Sequence, residues 1–305
     1  MGQAVAPDRL GAHVSVQGGV DTAPARGAAI GATAIQVFTK TPSQWREPQL
    51  DAGVCARFHR ACEENDLTTV VSHDSYLINL ASPDPALSAR SAASFQSELT
   101  RCTALGIRWL VSHPGNYIDD RSAGLARNAA AYAACLAAVP GDVTILLETT
   151  AGCGTALGST FEELAELRER IPAPLRSRVG FCADTCHLYA AGYDLVGDFD
   201  GVWTRWDAVI GLEHLRVLHL NDSKTPFASR RDRHALIGEG SLGPAPFRRI
   251  MTDPRFAPVI RIIETPKGED EVTLDRKMLR RLRGYARAAA TRRSVAPRDP
   301  SADLS

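Results

Sequence analysis

VGFCADTCHLYAAGYDL, Val179 to Leu195, passes from an uninterrupted apolar run into an aspartate, two cysteines and a histidine. A run such as VGFCAD at 179–184, apolar throughout rather than alternating, reads as a strand buried on both faces, the habit of parallel sheets covered by helices. Asp184 and His187 then fall where the strand ends and a helical stretch begins. Three readings of them compete: zinc held by Cys182 and Cys186, a catalytic metal held by Asp184 and His187, or a strand that ends in polar residues because it meets water.

Similar runs recur on either side: AIQVFT at 34–39, TTVVSH at 68–73, IRWLVSH at 107–113, DVTILLE at 142–148, RVLHLND at 216–222 and PVIRIIE at 258–264, with LGAHV at 10–14 as a weaker first member. Segments with helical spacing lie between them, among them LDAGVCARFHRACEEN, ALSARSAASFQSELTRCTAL and SAGLARNAAAYAACLAAV. Eight strands alternating with helices over this length predict an α/β fold, a (β/α)8 TIM barrel in one domain spanning 8–290. An open doubly wound sheet is the alternative, but no GxGxxG follows the first strand. The end of the chain, 291–305, is rich in Ala, Arg and Pro and reads as a flexible tail.

Each run after AIQVFT carries His, Asp or Glu at or near its end: His73, His113, Glu148, Asp184, His219 and Glu264. Barrel strands deliver their C-terminal ends to one face, so residues far apart in sequence meet there. Solvated strand ends would include Ser, Asn, Lys and Arg, whereas these six residues are all of the types that hold divalent cations. Three histidines and three carboxylates exceed what one tetrahedral ion needs, so the economical reading is two ions sharing a bridging carboxylate. His187, with Asp232 and His234 in the loop SRRDRHALIGEG, supplies a third set.

Bulk properties narrow the function. The chain has 305 residues, 44% hydrophobic and 23% charged, and its 35 basic and 35 acidic residues cancel. A globular core is expected, and binding of a polyanion through a general basic surplus is excluded. Any polyanion must be met by a local patch or by bound cations. No apolar stretch approaches the roughly 18 residues of a membrane span, and the first residues lack the layout of a signal peptide, so a cytoplasmic location and no membrane partner are expected. The seven cysteines are scattered and never spaced CxxC, so a disulfide framework or a cysteine-based zinc site is not indicated.

Eight blocks carry a family resemblance: GAHVSVQGGV (11–20), HDSYLINLA (73–81), HPG (113–115), ETTAGCGTALG (148–158), DTCHLYAAGYDL (184–195), HLNDSK (219–224), DRHALIGEG (232–240) and IET (263–265). In consistent order over about residues 10–285, they closely resemble endonuclease IV, the zinc-dependent apurinic/apyrimidinic endonuclease family. The resemblance implies a TIM barrel with three Zn2+ per chain, Mn2+ being a substitute at one site. His73 and His113 would bind one ion; Asp184, His219 and Glu264 a second; Glu148 would bridge these two; His187, Asp232 and His234 would hold the third. Glu148, Asp184 and Glu264 are the implied catalytic carboxylates.

The implied activity is incision of duplex DNA 5′ to an abasic site, leaving a 3′-hydroxyl and a 5′-deoxyribose phosphate, with trimming of 3′-blocking groups. The enzyme would be a monomer with no organic cofactor. Tyr76 and Leu77 resemble the family's groove-inserting residues, and Lys224 and Arg233 are the basic residues nearest the expected site. Ser43, in the loop FTKTPSQW (38–45), departs from the family, which carries an arginine there; Thr149 stands where Asn is usual, and Cys153 is a milder change. His13 is expected beside the site, whereas His59 and His214 fall outside it. Two other functions are weighed: a sugar isomerase or epimerase on the same barrel, which needs no third ion, and a non-catalytic binder of damaged DNA with structural zinc.

Overall fold

The computed structural model describes residues 8–295. Eight parallel strands close into a barrel in the order β1 (Leu10–His13), β10 (Ile260–Ile263), β7 (Leu215–His219), β6 (Val179–Asp184), β5 (Thr144–Glu148), β4 (Trp109–Ser112), β3 (Thr69–His73), β2 (Ala34–Phe38). Each expected run is therefore a barrel strand. RVLHLND differs at its end: the chain leaves the barrel after His219, and Asp222–Ser223 (β8) pairs antiparallel with His234–Ala235 (β9) in a separate ribbon.

Helices α1 (Ala23–Ile30), α2 (Ala52–Glu64), α3 (Pro85–Ala104), α4 (Arg121–Ala138), α5 (Phe161–Arg170), α6 (Thr185–Ala191), α7 (Phe199–Val209), α8 (Pro244–Thr252) and α9 (Thr273–Val295) connect and follow the strands. Several begin where a side-chain oxygen satisfies a free backbone N–H, as Asp51, Asp84, Asp120 and Thr160 do for α2, α3, α4 and α5. The last helix reaches Val295, into the segment expected as a tail; residues 296–305 of that segment lie outside the described residues.

Two apolar layers result. The larger packs helices onto the outer wall, with Phe161, Phe181, Trp203 and Trp206 all buried. The smaller fills the barrel with Ala34, Val71, Val111, Leu146, Cys182, Val217, Ile260 and Ile262. That dry plug lies below the strand ends, so polar side chains at the C-terminal face stand on an apolar floor.

Closure depends on β1, which pairs with β10 through Gly11 and Ile262 and with β2 through Gly11 and Ala34. A Cβ on Gly11 would lie 1.5 Å from the Ala34 carbonyl oxygen, so only glycine permits this approach. Gly11→Ala is expected to destabilise the fold by about 2–4 kcal/mol, read as a lowered urea midpoint, because backbone rather than a flexible side chain must move. An unchanged midpoint would contradict that closure.

Candidate metal centre

His73, Glu148, Asp184 and His219 are the last residues of β3, β5, β6 and β7, and His113 and Glu264 follow directly on β4 and β10. The barrel brings all six together. Glu148, with no exposure to water, lies at the centre: one carboxylate oxygen, Oε2, is 3.1 Å from both His73 Nε2 and His113 Nε2, while Oε1 is 2.8 Å from His219 Nδ1. His219 Nδ1 is also 3.3 Å from Glu264 Oε2 and 4.0 Å from Asp184 Oδ2.

A third group adjoins these two. Asp232 places Oδ2 3.2 Å from His187 Nε2 and Oδ1 3.1 Å from His234 Nε2, which is 3.6 Å from Asp184 Oδ2. Each group brings its donor atoms within 4.8 Å of one another. Zinc bonds of about 2.0–2.1 Å set neighbouring donors of a tetrahedron about 3.3 Å apart, so the spacings suit that ion. His234 Nε2 is buried, and its 3.1 Å approach to Asp232 Oδ1 lacks hydrogen-bond geometry. A buried nitrogen left so is one that a cation would satisfy.

The outer contacts fix which nitrogen faces inward. His73 Nδ1 lies 2.9 Å from the Asp74 carbonyl, His187 Nδ1 2.8 Å from the Thr149 carbonyl and His234 Nδ1 3.2 Å from the Glu264 carbonyl. Donation to a carbonyl turns Nε2 inward in each ring, where its lone pair is available to a cation once the ring gives up its second proton. His219 is reversed: its Nε2 lies 2.8 Å from Gln36 Oε1, so Nδ1 turns to the centre.

Asp184 has two tasks. Its Oδ1 accepts the His187 N–H at 2.9 Å and caps α6, while Oδ2 accepts from Asn221 Nδ2 at 2.6 Å and faces the cluster. The cap starts the helix that carries His187, which explains their spacing of three residues. Two cysteines border the cluster, Cys182 beside Glu148 and His219 and Cys186 beside Asp184 and His234, and in the metal-free protein burial pushes both thiols up to about 12.

Gln36 and Asn221 are functional-site residues that sequence reasoning missed. Gln36 donates to Glu264 Oε1 at 2.7 Å and contacts His13 Nδ1 at 3.0 Å, while Asn221 Oδ1 accepts the Glu264 N–H. A glutamine inside the apolar run AIQVF was the available signal. Thr149, the departure from Asn, uses its hydroxyl to accept the Asp184 N–H at 2.9 Å. His13 stands beside the centre as expected, 3.4 Å from Glu264 Oε1, and His59 and His214 lie outside it.

Around the mouth, Tyr76 is 70% exposed, its ring 5.1 Å edge-on from Phe38, and Leu77 beside it is half-buried. Lys224 and Arg233 are exposed and joined across the β8–β9 ribbon by a backbone hydrogen bond from the Lys224 N–H to the Arg233 carbonyl. Ser43 lies in the neighbouring loop after β2, whose base is clamped by buried Lys40 and Arg101 on Glu47.

Charge balance in the metal-free protein falls to the histidines. Burial opposes protonation of His187, but Asp184, Asp232 and Glu148 outweigh it and raise the ring to about 10. Burial is likewise outweighed at His73 by Glu148, Asp74 and Glu264, and at His234 by Asp184, Asp232 and Glu264, raising each to about 9. His219 is also raised well above its usual range, against burial, by Glu264 and Glu148. Conversely, burial would raise Glu148, yet His219 and His113 hold it well below the usual carboxylate range.

Comparison with known proteins adds four likenesses. Residues 24–283 match the xylose isomerase-like TIM barrel family. The chain is 46% identical over 286 residues to a protein of Chloroflexus aggregans named "Probable endonuclease 4", covering 92% of this chain and 99% of that relative. The crystal structure of endonuclease IV from Thermus thermophilus superposes with a TM-score of 0.81 at 35% identity, covering 92% of this chain and 99% of that one. A D-psicose 3-epimerase from Clostridium cellulolyticum, at 17% identity and a TM-score of 0.59, shares the fold, with 89% of this chain and 92% of that one covered.

In the metal-free protein at pH 7 His73, His187 and His234 hold protons, and a cation must displace them. Zinc titrated into metal-free protein is therefore expected to release about three protons per chain, measured by calorimetry in buffers of different ionisation enthalpy. Because the raised imidazoles compete for the metal below their own pKa, zinc affinity is expected to climb as pH increases from about 6 to about 9. Release of fewer than about one proton would contradict these histidines as ligands.

Proposed function

This chain belongs to the endonuclease IV family, and from that premise we propose that its strand-end side chains serve the incision of duplex DNA on the 5′ side of an abasic site. The protein is a metal-dependent DNA-repair endonuclease. Its products on the proposed reading are a 3′-hydroxyl and a 5′-deoxyribose phosphate, and the same site trims 3′-blocking groups. It holds three Zn2+, with Mn2+ able to replace one, and works as a cytoplasmic monomer without an organic cofactor.

The observation that carries this reading is the division of the Glu148 carboxylate, whose two oxygens face two different sets of imidazoles. His73 and His113, with Glu148, would hold one ion; Asp184, His219 and Glu264, sharing Glu148, would hold the second; His187, Asp232 and His234 would hold the third. Bound there, divalent cations neutralise a phosphodiester, polarise its P–O bonds and lower the pKa of water.

The protein's own contribution is orientation. Asn221 steadies Asp184 and the backbone of Glu264, while Gln36 couples His219 to Glu264 and prevents ring flips that would turn Nδ1 away. Glu148, Asp184 and Glu264 are the catalytic carboxylates; against burial, His219 and His113 hold Glu148, and His219 and His13 hold Glu264, well below the usual carboxylate range. An abasic sugar, with neither pairing nor stacking, is the least costly nucleotide to bring out of a duplex and into this mouth. Tyr76 and Leu77 enter the groove, and exposed Lys224 and Arg233 meet phosphates from the ribbon side. With Ser43 in place of the family's arginine, this wedge relies on Tyr76 and Leu77.

An epimerase uses the same barrel, but the set His187, Asp232 and His234 has no task in that chemistry, and the epimerase likeness extends only to the fold. A structural zinc site in a non-catalytic binder would be closed and rich in cysteine. Here the donors are His, Asp and Glu, His113 has 38% side-chain exposure and Asp232 has 49%.

Glu148→Ala is expected to lower nicking of a duplex with one abasic site by at least about a thousandfold, roughly 4 kcal/mol of barrier. Elemental analysis is expected to find about three zinc per wild-type chain. Full activity in Glu148→Ala, or one zinc or none in active protein, would overturn this site. Tyr76→Ala is expected to raise KM for the abasic duplex about tenfold, from loss of an aromatic contact worth about 1–3 kcal/mol, while the metal content stays unchanged.

A further inference from the structure

The pole opposite the metal centre carries a second, separate concentration of charge. Trp109, Thr144 and Val179 begin β4, β5 and β6 and line a cavity of about 200 Å³, together with Arg108, Arg168, Arg176, Arg216 and His214. Four guanidiniums and an imidazole surround this small space, and no carboxylate lines it.

Arginines elsewhere on the surface sit on acids: Arg57 on Asp21, Arg205 on Glu162, Arg249 on Asp200. Two of the lining arginines are held from outside the cavity by Glu169, Arg176 at 2.7 Å and Arg168 at 3.8 Å. Arg108 and Arg216 have no carboxylate partner among the described residues and rest instead against the Trp109 ring, 5.0 and 5.7 Å from its centre. Trp109 is half-buried and packs on the apolar plug, so it is a fixed platform for both. The local field shows in His214, which burial and then Arg168 and Arg216 depress, against a partial opposing effect from exposed Glu213.

Gly180 leaves the space open. A Cβ there would stand 3.1 Å from the His214 carbonyl oxygen and from Leu146, and 3.4 Å from the Arg216 side chain. The cavity is smaller than the roughly 300 Å³ at which pockets for organic ligands begin. A compact anion fits where a nucleoside does not, and guanidinium forks match the geometry of a tetrahedral oxyanion.

We propose that this pocket at the N-terminal end of the barrel is a second ligand site, which binds a compact phosphate-class oxyanion through Arg108 and Arg216 beside Trp109. The oxyanion comes either as free inorganic phosphate or as the terminal phosphate of a 5′-phosphorylated strand. Arg108 and Arg216 donate to its oxygens, Arg168 completes the positive wall beside a neutral His214, and Trp109 senses occupancy through its contact with both guanidiniums. The site is independent of the metal chemistry, since the length of the barrel and its apolar plug lie between them.

The test is fluorescence titration of the metal-loaded protein with inorganic phosphate and, separately, with a 5′-phosphorylated oligonucleotide lacking an abasic site, at constant ionic strength against chloride. The wild type is expected to give a saturable change that Trp109→Phe abolishes and that the double variant Arg108→Gln/Arg216→Gln weakens at least tenfold. Saturation by phosphate alone identifies the free ion as ligand; saturation by both identifies a strand end. Nicking of the abasic duplex by the double variant in phosphate-free buffer is expected to stay at the wild-type rate, which separates this site from the metal centre. No saturable change in the wild type, or equal affinity in the double variant, would overturn the proposal.

Discussion

A carboxylate removed from water at the end of an apolar strand cannot remain ionised without nearby positive charge, and Glu148 is such a group. Burial opposes its charge, so its environment must return what solvation would have given. The protein meets this constraint with imidazoles from other strands: His73 and His113 on one oxygen, His219 on the other. Remove Glu148 and two sets of histidines lose the group that they share. Remove the histidines and a buried anion is left alone.

Precision at this centre comes from the layer behind it. Backbone carbonyls of Asp74, Thr149 and Glu264 hold three rings, and Gln36 holds a fourth in the opposite orientation. Asp184 shows how local and tertiary structure combine, because one of its oxygens caps α6 while the other meets the cluster. The helix start and the binding group are therefore the same residue, and a change there would disturb both.

The neutral formal charge of the chain conceals two local fields. At the C-terminal face the acids and imidazoles form sets suited to cations, and a cation-loaded mouth can receive phosphate without a basic surplus. At the opposite end Arg108 and Arg216 are left without acidic partners among the described residues. The dry barrel interior between them keeps the two from sharing groups.

The amino-acid sequence alone determined the strands, their parallel closure and the six strand-end residues that converge at the candidate metal centre, because buried parallel strands leave an uninterrupted apolar signature and their polar ends recur with the length of a β/α unit; His187, Asp232 and His234 were added from the helix and loop beside them. Family blocks then divided those nine among ions, which spacing by itself left open. Tertiary structure decided what depends on distance: that the two oxygens of Glu148 serve different imidazoles, that Gln36 and Asn221 support the ring of ligands, and that Asp222 leaves the barrel for a ribbon. Gln36 was only a polar interruption in an apolar run until closure set it against His219, 183 residues away. Arg108 and Arg216 were unremarkable surface cations until the barrel placed both on one tryptophan. Periodicity records which face of an element is buried, but not which distant partner that face will meet, and charge compensation is a property of the meeting.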